Sequence, residues 1–249
     1  MFFRNSEESH AHSLQTLNML YEYDDFMASI STVADLGCGD GQDLEWWATR
    51  TTRDESPKPL NINCVGVDVQ PELLMAHRYR NITYQQNDFE KEIFLSKKRP
   101  YDLIWSHNSF QYCINPIATL SLWWQKASML VIVLPQTTNL VQKQQAFEQP
   151  SGCFYHHTLV SLIHMLAVSG WDCRAGYFLK RPTDNWLHAI VYKSEHAPMD
   201  PKITSWHDLA EKNLLPDTVA KSAHAHNAVR QQDLILPWID KSLTWYGKQ

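Results

Sequence analysis

Apolar and polar positions alternate in two different ways along the chain. Short apolar runs such as Met129–Leu134, "MLVIVL", are typical of strands buried on both faces of a sheet. Between such runs, apolar residues recur at helical spacing, as Leu14, Leu17 and Tyr21 do near the N-terminus. The predicted strands are Val33–Leu36, Asn63–Val69, Ile82–Gln86, Tyr101–Ser106, Met129–Leu134, Trp171–Phe178 and Trp186–Tyr192. The predicted helices are Ser6–Ala28, a segment with Leu44, Trp47 and Ala48, one opened by Pro71, the Asn115-capped Pro116–Lys126, and His157–Ser169.

This order of elements predicts a doubly wound α/β sheet of seven strands. The first five strands are expected to be parallel. The last two, joined by "KRPTDN", are expected to form an antiparallel pair, so that the sheet holds one antiparallel strand. After Ser194, prolines punctuate helical segments and no strand is predicted. We therefore expect a main domain at 1–194, with an N-terminal cap helix, and a helical C-terminal extension at 195–249 through which the chain could form a homo-oligomer.

Composition narrows the class of protein. A net charge of −5 and a pI near 6.2 argue against a nucleic-acid partner, because such proteins usually carry a broad basic surface. No apolar stretch approaches the roughly 20 residues of a membrane span, and Met1–His10 has no signal-peptide profile. The five cysteines are scattered and form no CxxC pair, which favours reduced thiols in a cytoplasmic protein.

Glycines are concentrated just after the first predicted strand. Three of the eight in the chain, Gly37, Gly39 and Gly41, alternate within "VADLGCGDGQDLEWW". Glycine permits positive φ and close approach of a ligand to the backbone, and ligands in such sheets bind at the carboxyl ends of strands. The spacing is neither the G-x-G-x-x-G of dinucleotide sites nor a phosphate loop, which needs a Lys-Ser/Thr pair. The turn carries Asp35 and Asp40 and no basic residue, which suits a cationic cofactor better than a pyrophosphate.

The segment "DLGCGDG" resembles the first motif of class I S-adenosylmethionine-dependent methyltransferases, and the resemblance extends through roughly Val33–Tyr192. It implies a Rossmann-like fold with S-adenosylmethionine as cofactor. In that family an acidic residue ends the second strand and binds the ribose hydroxyls, which in "VGVDVQPELL" is Asp68, with Val69 against the adenine. "QQNDFE" similarly implies Asp88 and Phe89 near the adenine amino group.

The resemblance thus implies a cofactor site with these members: Asp35, Gly37, Cys38, Gly39, Gly41, Asp68, Val69, Asp88, Phe89 and Ser106. Backbone N–H groups of the glycine turn are expected to hold the methionine carboxylate near a helix N-terminus. Structural roles stay open for two members. Asp68 could instead cap the turn before Pro71, and Asp88 could cap a helix over Phe89–Leu95.

The segment "YDLIWSHNSFQY" resembles the family's fourth motif and implies that Ser106 and His107 border the transferred methyl. A neutral imidazole can take a proton from an acceptor near pH 7, so His107 is the candidate catalytic residue, as a general base. The alternative is a structural histidine bonded to a loop carbonyl. Asn108, Gln111 and Tyr112 offer hydrogen bonds to a substrate. The loop lacks the "(D/N)PP(Y/F)" signature of methylases that act on adenine or glutamine amides.

These features predict an enzyme that methylates an oxygen or nitrogen of a small-molecule acceptor. Two other classes stay open: a non-catalytic S-adenosylmethionine-binding or regulatory protein, and an RNA or protein methyltransferase. The pairs His10/His12 and His224/His226 are two residues apart in helical or irregular sequence, so we expect no metal site. Ser6–Ala28 and Gln136–Gln149 are expected to form lids at the carboxyl edge of the sheet.

Overall fold

The computed structural model describes residues 6–70, 79–91, 100–135, 157–180 and 186–229, and its centre is a seven-stranded sheet in the order β3-β2-β1-β4-β5-β7-β6. The strands are β1 (Thr32–Leu36), β2 (Asn63–Asp68), β3 (Ile82–Gln86), β4 (Tyr101–His107), β5 (Ala127–Pro135), β6 (Trp171–Lys180) and β7 (Trp186–Lys193). The first five are parallel, and β7 runs antiparallel to both β5 and β6. The predicted sheet, with its one antiparallel strand, is confirmed.

Helices cover both faces of this sheet. They are α1 (Ser6–Tyr21), α2 (Asp24–Ser29), α3 (Gln42–Ala48), α4 (Pro116–Lys126), α5 (Leu159–Val168), α6 (Trp206–Glu211) and α7 (Asp217–His226), with a 3-10 helix at Phe110–Tyr112. Asn115 caps α4 as predicted, since its side chain accepts a hydrogen bond from the N–H of Ala118. The helix opened by Pro71 and the Gln136–Gln149 segment lie outside the described residues, as does most of the helix predicted over Phe89–Leu95.

The single helix predicted over Ser6–Ala28 is two helices in the structure. Tyr23 has extended backbone angles, φ −108° and ψ 98°, and begins α2. The guanidinium of Arg53 donates to the carbonyl of Glu22 at 2.7 Å, so the carbonyl at the break is satisfied from outside the helix. Asp24 and Asp25 in the first turn of α2 favour a new helix start, because acidic side chains are stabilising there.

Each face of the sheet has its own core. On one face the buried side chains of α1, α2 and α3 pack against Val33, Leu103 and Trp105. On the other, α4, α5, α6 and α7 pack against Leu36 and Ile104. Successive strand residues point to opposite faces, so neighbours such as Leu103 and Ile104 contribute to different cores.

The helical segment after Ser194 is part of the second core. Leu209, Leu214, Leu215, Val219 and Ala223 are each at most 1% exposed and belong to the same cluster as the buried residues of α4 and α5. The helical character expected of this segment is confirmed over α6 and α7. The domain boundary at 194/195 and self-association through the extension stay predictions.

Strand order reverses direction beside β1, which lies between β2 and β4. The helix after β1, α3, lies on one face, and the helix after β4, α4, lies on the other. In such sheets the two connections leave a crevice at the carboxyl ends of the central strands. The loops after β1, β2, β3 and β4, where the candidate site residues lie, all meet at this edge.

Candidate functional site

The turn after β1 is held against the end of β2. The N–H groups of Gly37 and Cys38 both donate to the carbonyl of Val67, at 2.7 and 3.2 Å, and the N–H of Gly39 donates to the carboxylate of Asp68 at 2.9 Å. The N–H of Gly41 donates to the carbonyl of Cys38. These four N–H groups are therefore used within the protein. That the turn also holds the methionine carboxylate stays a prediction.

The backbone angles and the close neighbours of this turn require glycine. Gly37, Gly39 and Gly41 all have positive φ, at 82°, 52° and 80°. A Cβ on Gly37 would lie 2.3 Å from the Cβ of Ser109, and a Cβ on Gly41 would lie 2.5 Å from the hydroxyl of Tyr84. Any larger residue would displace the turn from the strand ends.

Asp68 lies where the resemblance requires an acidic residue, at the last position of β2. Besides Gly39, its carboxylate accepts a hydrogen bond from the N–H of Gln70 at 2.9 Å. Asp68 therefore also makes the contact expected if it caps the turn before Pro71. Each carboxylate oxygen can accept a second hydrogen bond, so lone pairs remain for two hydroxyl groups. Val69, the next residue, is 58% exposed and offers an apolar surface beside the carboxylate.

The loop after β3 reaches the same turn. The ring of Phe89 lies 3.5 Å from the point where a Cβ of Gly37 would stand, and it packs edge-on against Trp123. Asp88 accepts the N–H of Glu90 at 3.0 Å and pairs with Lys91 at 3.4 Å. Asp88 thus forms a turn of its own while Phe89 contacts the glycine segment.

Glu90 joins this loop to α4 through contacts that no sequence pattern predicts. Its carboxylate accepts the N–H groups of Ile114 and Asn115 at 2.9 to 3.1 Å, and the hydroxyl of Thr119 at 3.3 Å. It therefore satisfies donors at the start of α4 that have no partner within a helix. The partners lie 24 to 29 positions away, beyond any local pattern.

Ser106 is fully buried below the turn. Its hydroxyl hydrogen-bonds to that of Ser109 at 2.8 Å, and Ser109 donates to the carbonyl of Leu36 at 2.6 Å. The two serines connect the end of β4 to the end of β1. In this arrangement Ser106 supports the turn, and its contact with the methionine group stays a prediction.

Acidic groups cluster beside the turn. Asp35 is 2% exposed, and Asp40 accepts a hydrogen bond from the side chain of Gln42 at 2.6 Å. Burial, with nearby Cys38 and the carboxylates of Glu45, Asp35 and Asp40, raises the pKa of Tyr84 to about 12. The Tyr84 hydroxyl therefore stays protonated at neutral pH. This surrounding suits a positively charged ligand group better than an anion.

His107, the last residue of β4, contacts a carboxylate that sequence reasoning missed. Its Nδ1 lies 3.2 Å from Oδ2 of Asp43, and the two side chains are 8% and 9% exposed. The same oxygen accepts the indole N–H of Trp105 at 2.9 Å, and Oδ1 accepts the hydroxyl of Ser13 at 2.6 Å. The observed partner of His107 is thus a carboxylate and not the loop carbonyl of the structural alternative.

Cysteines and histidines elsewhere form no further centre within the described residues. Cys38, Cys64, Cys113 and Cys173 form no disulfide with one another, and burial raises the pKa of the last three. The described chain contains no group of three or more His, Cys, Asp or Glu that could hold a metal ion. None of its helices has the length and apolar character needed to cross a membrane.

The doubly wound sheet, the glycine turn and the acidic residue that ends β2 together define the class I methyltransferase fold. Residues 34–130 match the family model described as a methyltransferase domain. No curated protein sequence matches the chain. The predicted fold and family resemblance are confirmed.

Solved structures with this fold include several methyltransferases. The CurJ carbon methyltransferase is 14% identical with a TM-score of 0.52, over 67% of this chain and 49% of that one. The plantazolicin methyltransferase BpumL, in complex with SAH, is 17% identical with a TM-score of 0.55, over 77% and 87%. Magnesium protoporphyrin IX methyltransferase from Synechocystis PCC 6803, with bound SAH, is 15% identical with a TM-score of 0.51, over 78% and 90%. This chain thus spans about half of the CurJ structure, and at these identities the likeness shows the fold alone.

Proposed function

We propose that the protein transfers a methyl group from S-adenosylmethionine to an oxygen or nitrogen atom of a small-molecule acceptor. The methyltransferase-domain match supports the enzyme class. The observation that carries the proposal is the turn after β1, where three glycines have positive φ and the N–H of Gly39 donates to the carboxylate of Asp68. Two structures with the same fold, BpumL and the Synechocystis enzyme, contain SAH, which supports the cofactor.

The residues around the turn fit S-adenosylmethionine. Asp68 would accept the ribose hydroxyls, and charged acceptors make the stronger hydrogen bonds. Val69 and Phe89 would contact the adenine, with Asp88 near its amino group. Gly37 and Gly41 allow the turn to lie against Ser109 and Tyr84, where a Cβ would clash. The acidic surroundings of Asp35 and Asp40 suit the positive charge of the sulfonium.

When bound, the sulfonium supplies a methyl carbon that is already activated for displacement. The protein then chiefly has to align the acceptor with that carbon and exclude water. Correct orientation alone can contribute roughly 7–11 kcal/mol to lowering a barrier. An acceptor that carries a proton also needs a base, and the neutral imidazole of His107 is the candidate.

An acceptor screen tests this function directly. Purified protein is incubated with S-adenosylmethionine and pools of small hydroxyl- and amine-bearing compounds, and formation of S-adenosylhomocysteine is measured. We expect turnover with at least one pool. Turnover with none of them, by protein shown to bind S-adenosylmethionine, would favour a non-catalytic binding protein. Parallel reactions contain RNA or protein as the acceptor, and turnover confined to these would overturn the small-molecule assignment.

The role of His107 is tested on the acceptor that the screen identifies. His107→Ala should lower the rate about 10²- to 10⁴-fold if His107 is a general base, with cofactor affinity nearly unchanged. The wild-type rate should fall at acidic pH, because a protonated imidazole cannot accept the acceptor's proton. A variant with the wild-type rate and pH profile would remove His107 from the catalytic role and leave positioning as the main contribution.

A further inference from the structure

We propose that Asp43 is the positioning residue that holds His107 as a proton acceptor, and that Ser13 of α1 completes this arrangement. The inference rests on the proposed function and deepens it. Asp43 is the second residue of α3 and follows the glycine turn by two positions. One short segment therefore carries both the cofactor turn and the carboxylate that contacts His107.

The carboxylate of Asp43 contacts three side chains from two separate elements. Oδ2 faces Nδ1 of His107 at 3.2 Å and the indole N–H of Trp105 at 2.9 Å, both on β4. Oδ1 accepts the hydroxyl of Ser13, on α1, at 2.6 Å. With both oxygens engaged and its side chain 9% exposed, the carboxylate has a fixed orientation toward the imidazole.

This geometry selects one tautomer of His107. An ionised carboxylate accepts hydrogen bonds and cannot donate one, so the ring nitrogen that faces Asp43, Nδ1, must carry the proton. A neutral imidazole has only one N–H, which leaves Nε2 with its lone pair available. Nε2 is the atom that a general base needs.

Nε2 of His107 is buried and has no hydrogen-bond partner among the residues that the structure describes. Buried polar atoms in folded proteins are nearly always satisfied, so an unsatisfied one calls for an explanation. The ring of Trp186 lies beside the imidazole, with 5.7 Å between the two ring centroids. Nε2 lies at the carboxyl end of β4, and its lone pair is not used by another group in the described part of the chain. It can therefore take a proton from an acceptor bound at this edge.

The helix α1 makes a second polar contact on this face of the sheet. Thr16, one turn beyond Ser13, hydrogen-bonds to Nδ1 of His188 on β7. His107 and His188 are both paired with Val133 of β5, so they stand in one row on the same face of the sheet. The packing of α1 on this face is therefore linked to the orientation of His107 through Ser13 and Asp43.

The tautomer of His107 can be measured without any acceptor. Long-range ¹H–¹⁵N spectra of uniformly ¹⁵N-labelled protein distinguish the two tautomers, and loss of one signal in His107→Gln assigns the ring. We expect wild-type His107 to be protonated at Nδ1. Asp43→Asn should shift the ring toward the Nε2–H form, because an amide can donate to Nδ1. Protonation at Nε2 in the wild-type protein would overturn the proposal, and this result does not require the variant to fold.

Kinetics supply the second readout. Asp43→Asn should lower kcat roughly 10²-fold, near the lower bound for a general base, while KM for S-adenosylmethionine changes little. Ser13→Ala should lower kcat by a smaller factor. The matched control is Asp102→Asn, since Asp102 is also a carboxylate with several hydrogen bonds on β4 but lies at its opposite end. Equal kcat values for the wild-type protein and Asp43→Asn would overturn the positioning role. Failure of every acceptor would contradict the proposed function alone, since the tautomer result stands apart from turnover.

Discussion

Gly37 shows at the scale of one residue why this turn uses glycine. Its φ is +82°, and the space for a Cβ is taken by Ser109. Gly37→Ala should lower the free energy of unfolding by about 1–3 kcal/mol, because alanine would be held in an unfavoured backbone region. It should also abolish cofactor binding, because the turn must move away from the strand ends.

Ser109→Gly offers a matched second change, since it removes the atoms that a Cβ at position 37 would meet. Combined with Gly37→Ala, it should destabilise the protein less than the sum of the two single changes, by about 0.5–3 kcal/mol. Urea denaturation of the four proteins measures this difference. Strict additivity would show that Ser109 is not what excludes a side chain at position 37.

Site residues that belong to a local motif were predictable from the sequence. Gly37 and Gly39 follow β1 and Asp68 ends β2 in a recognisable pattern, and the structure brings Gly39 into contact with Asp68. Asp43, Ser13 and Glu90 were not predictable, because their contacts join residues far apart in sequence. Ser13 and Asp43 are 30 positions apart, and Asp43 and Trp105 are 62 apart. Only the packing of α1, α3 and β4 on one face brings them together.

At the scale of elements, Asp102 joins the starts of β1 and β4. Its carboxylate accepts the N–H and hydroxyl groups of Ser31 and Thr32 at 2.7 to 3.0 Å. Burial raises its pKa, but these hydrogen bonds outweigh burial and lower the pKa from its ordinary value of 3.8. A carboxyl with a lowered pKa in the folded state stabilises the fold above its unfolded pKa, and this contribution is lost as pH falls through the folded pKa.

Asp102→Asn should therefore lower the free energy of unfolding at pH 7. On acidification below about pH 4, the variant should lose less of its remaining stability than the wild-type protein loses. Chemical denaturation at both pH values measures the two differences. Parallel losses in the variant and the wild-type protein would show that Asp102 does not contribute to acid sensitivity.

The helix α1 is the element whose predicted role as a lid can be tested. Leu17 and Leu20 are fully buried against the sheet, and Ser13 and Thr16 are bonded to Asp43 and His188. Amide hydrogen exchange in α1 should slow when S-adenosylhomocysteine binds, because the ligand orders the adjoining turn. Exchange in α5, on the opposite face, serves as the internal control. Unchanged exchange in α1 would leave it a packing element only.

The bounds of β3 and α4 agree with the prediction to the residue, and those of β5, whose apolar run is continuous, agree to within two residues. The break at Glu22 and Tyr23 was not predictable, since apolar spacing continues across it. At this break Arg53 donates to the carbonyl of Glu22 from 31 positions away. Long-range capping of this kind leaves no periodic signal in the sequence.

At the scale of the whole molecule, the segment after Ser194 contributes to the main core. Leu215→Ala should lower the free energy of unfolding by about 2–5 kcal/mol, because Leu215 is 1% exposed. Ile203→Ala is the matched control, since Ile203 is 79% exposed and its truncation should cost less than about 0.5 kcal/mol. Equal effects in denaturation would mean that this segment is a separable appendage.

The central claim is that the turn after β1 and Asp68 form a binding site for S-adenosylmethionine. Calorimetric titration with S-adenosylhomocysteine tests it most directly, because it requires no knowledge of the acceptor. We predict micromolar affinity for the wild-type protein, about −8 kcal/mol. Asp68→Ala should weaken it by about 1.5–3 kcal/mol for each hydrogen bond lost, and Asp102→Asn should bind as the wild-type protein does. No binding by the wild-type protein, or full-strength binding by a folded Asp68→Ala variant, would contradict the account.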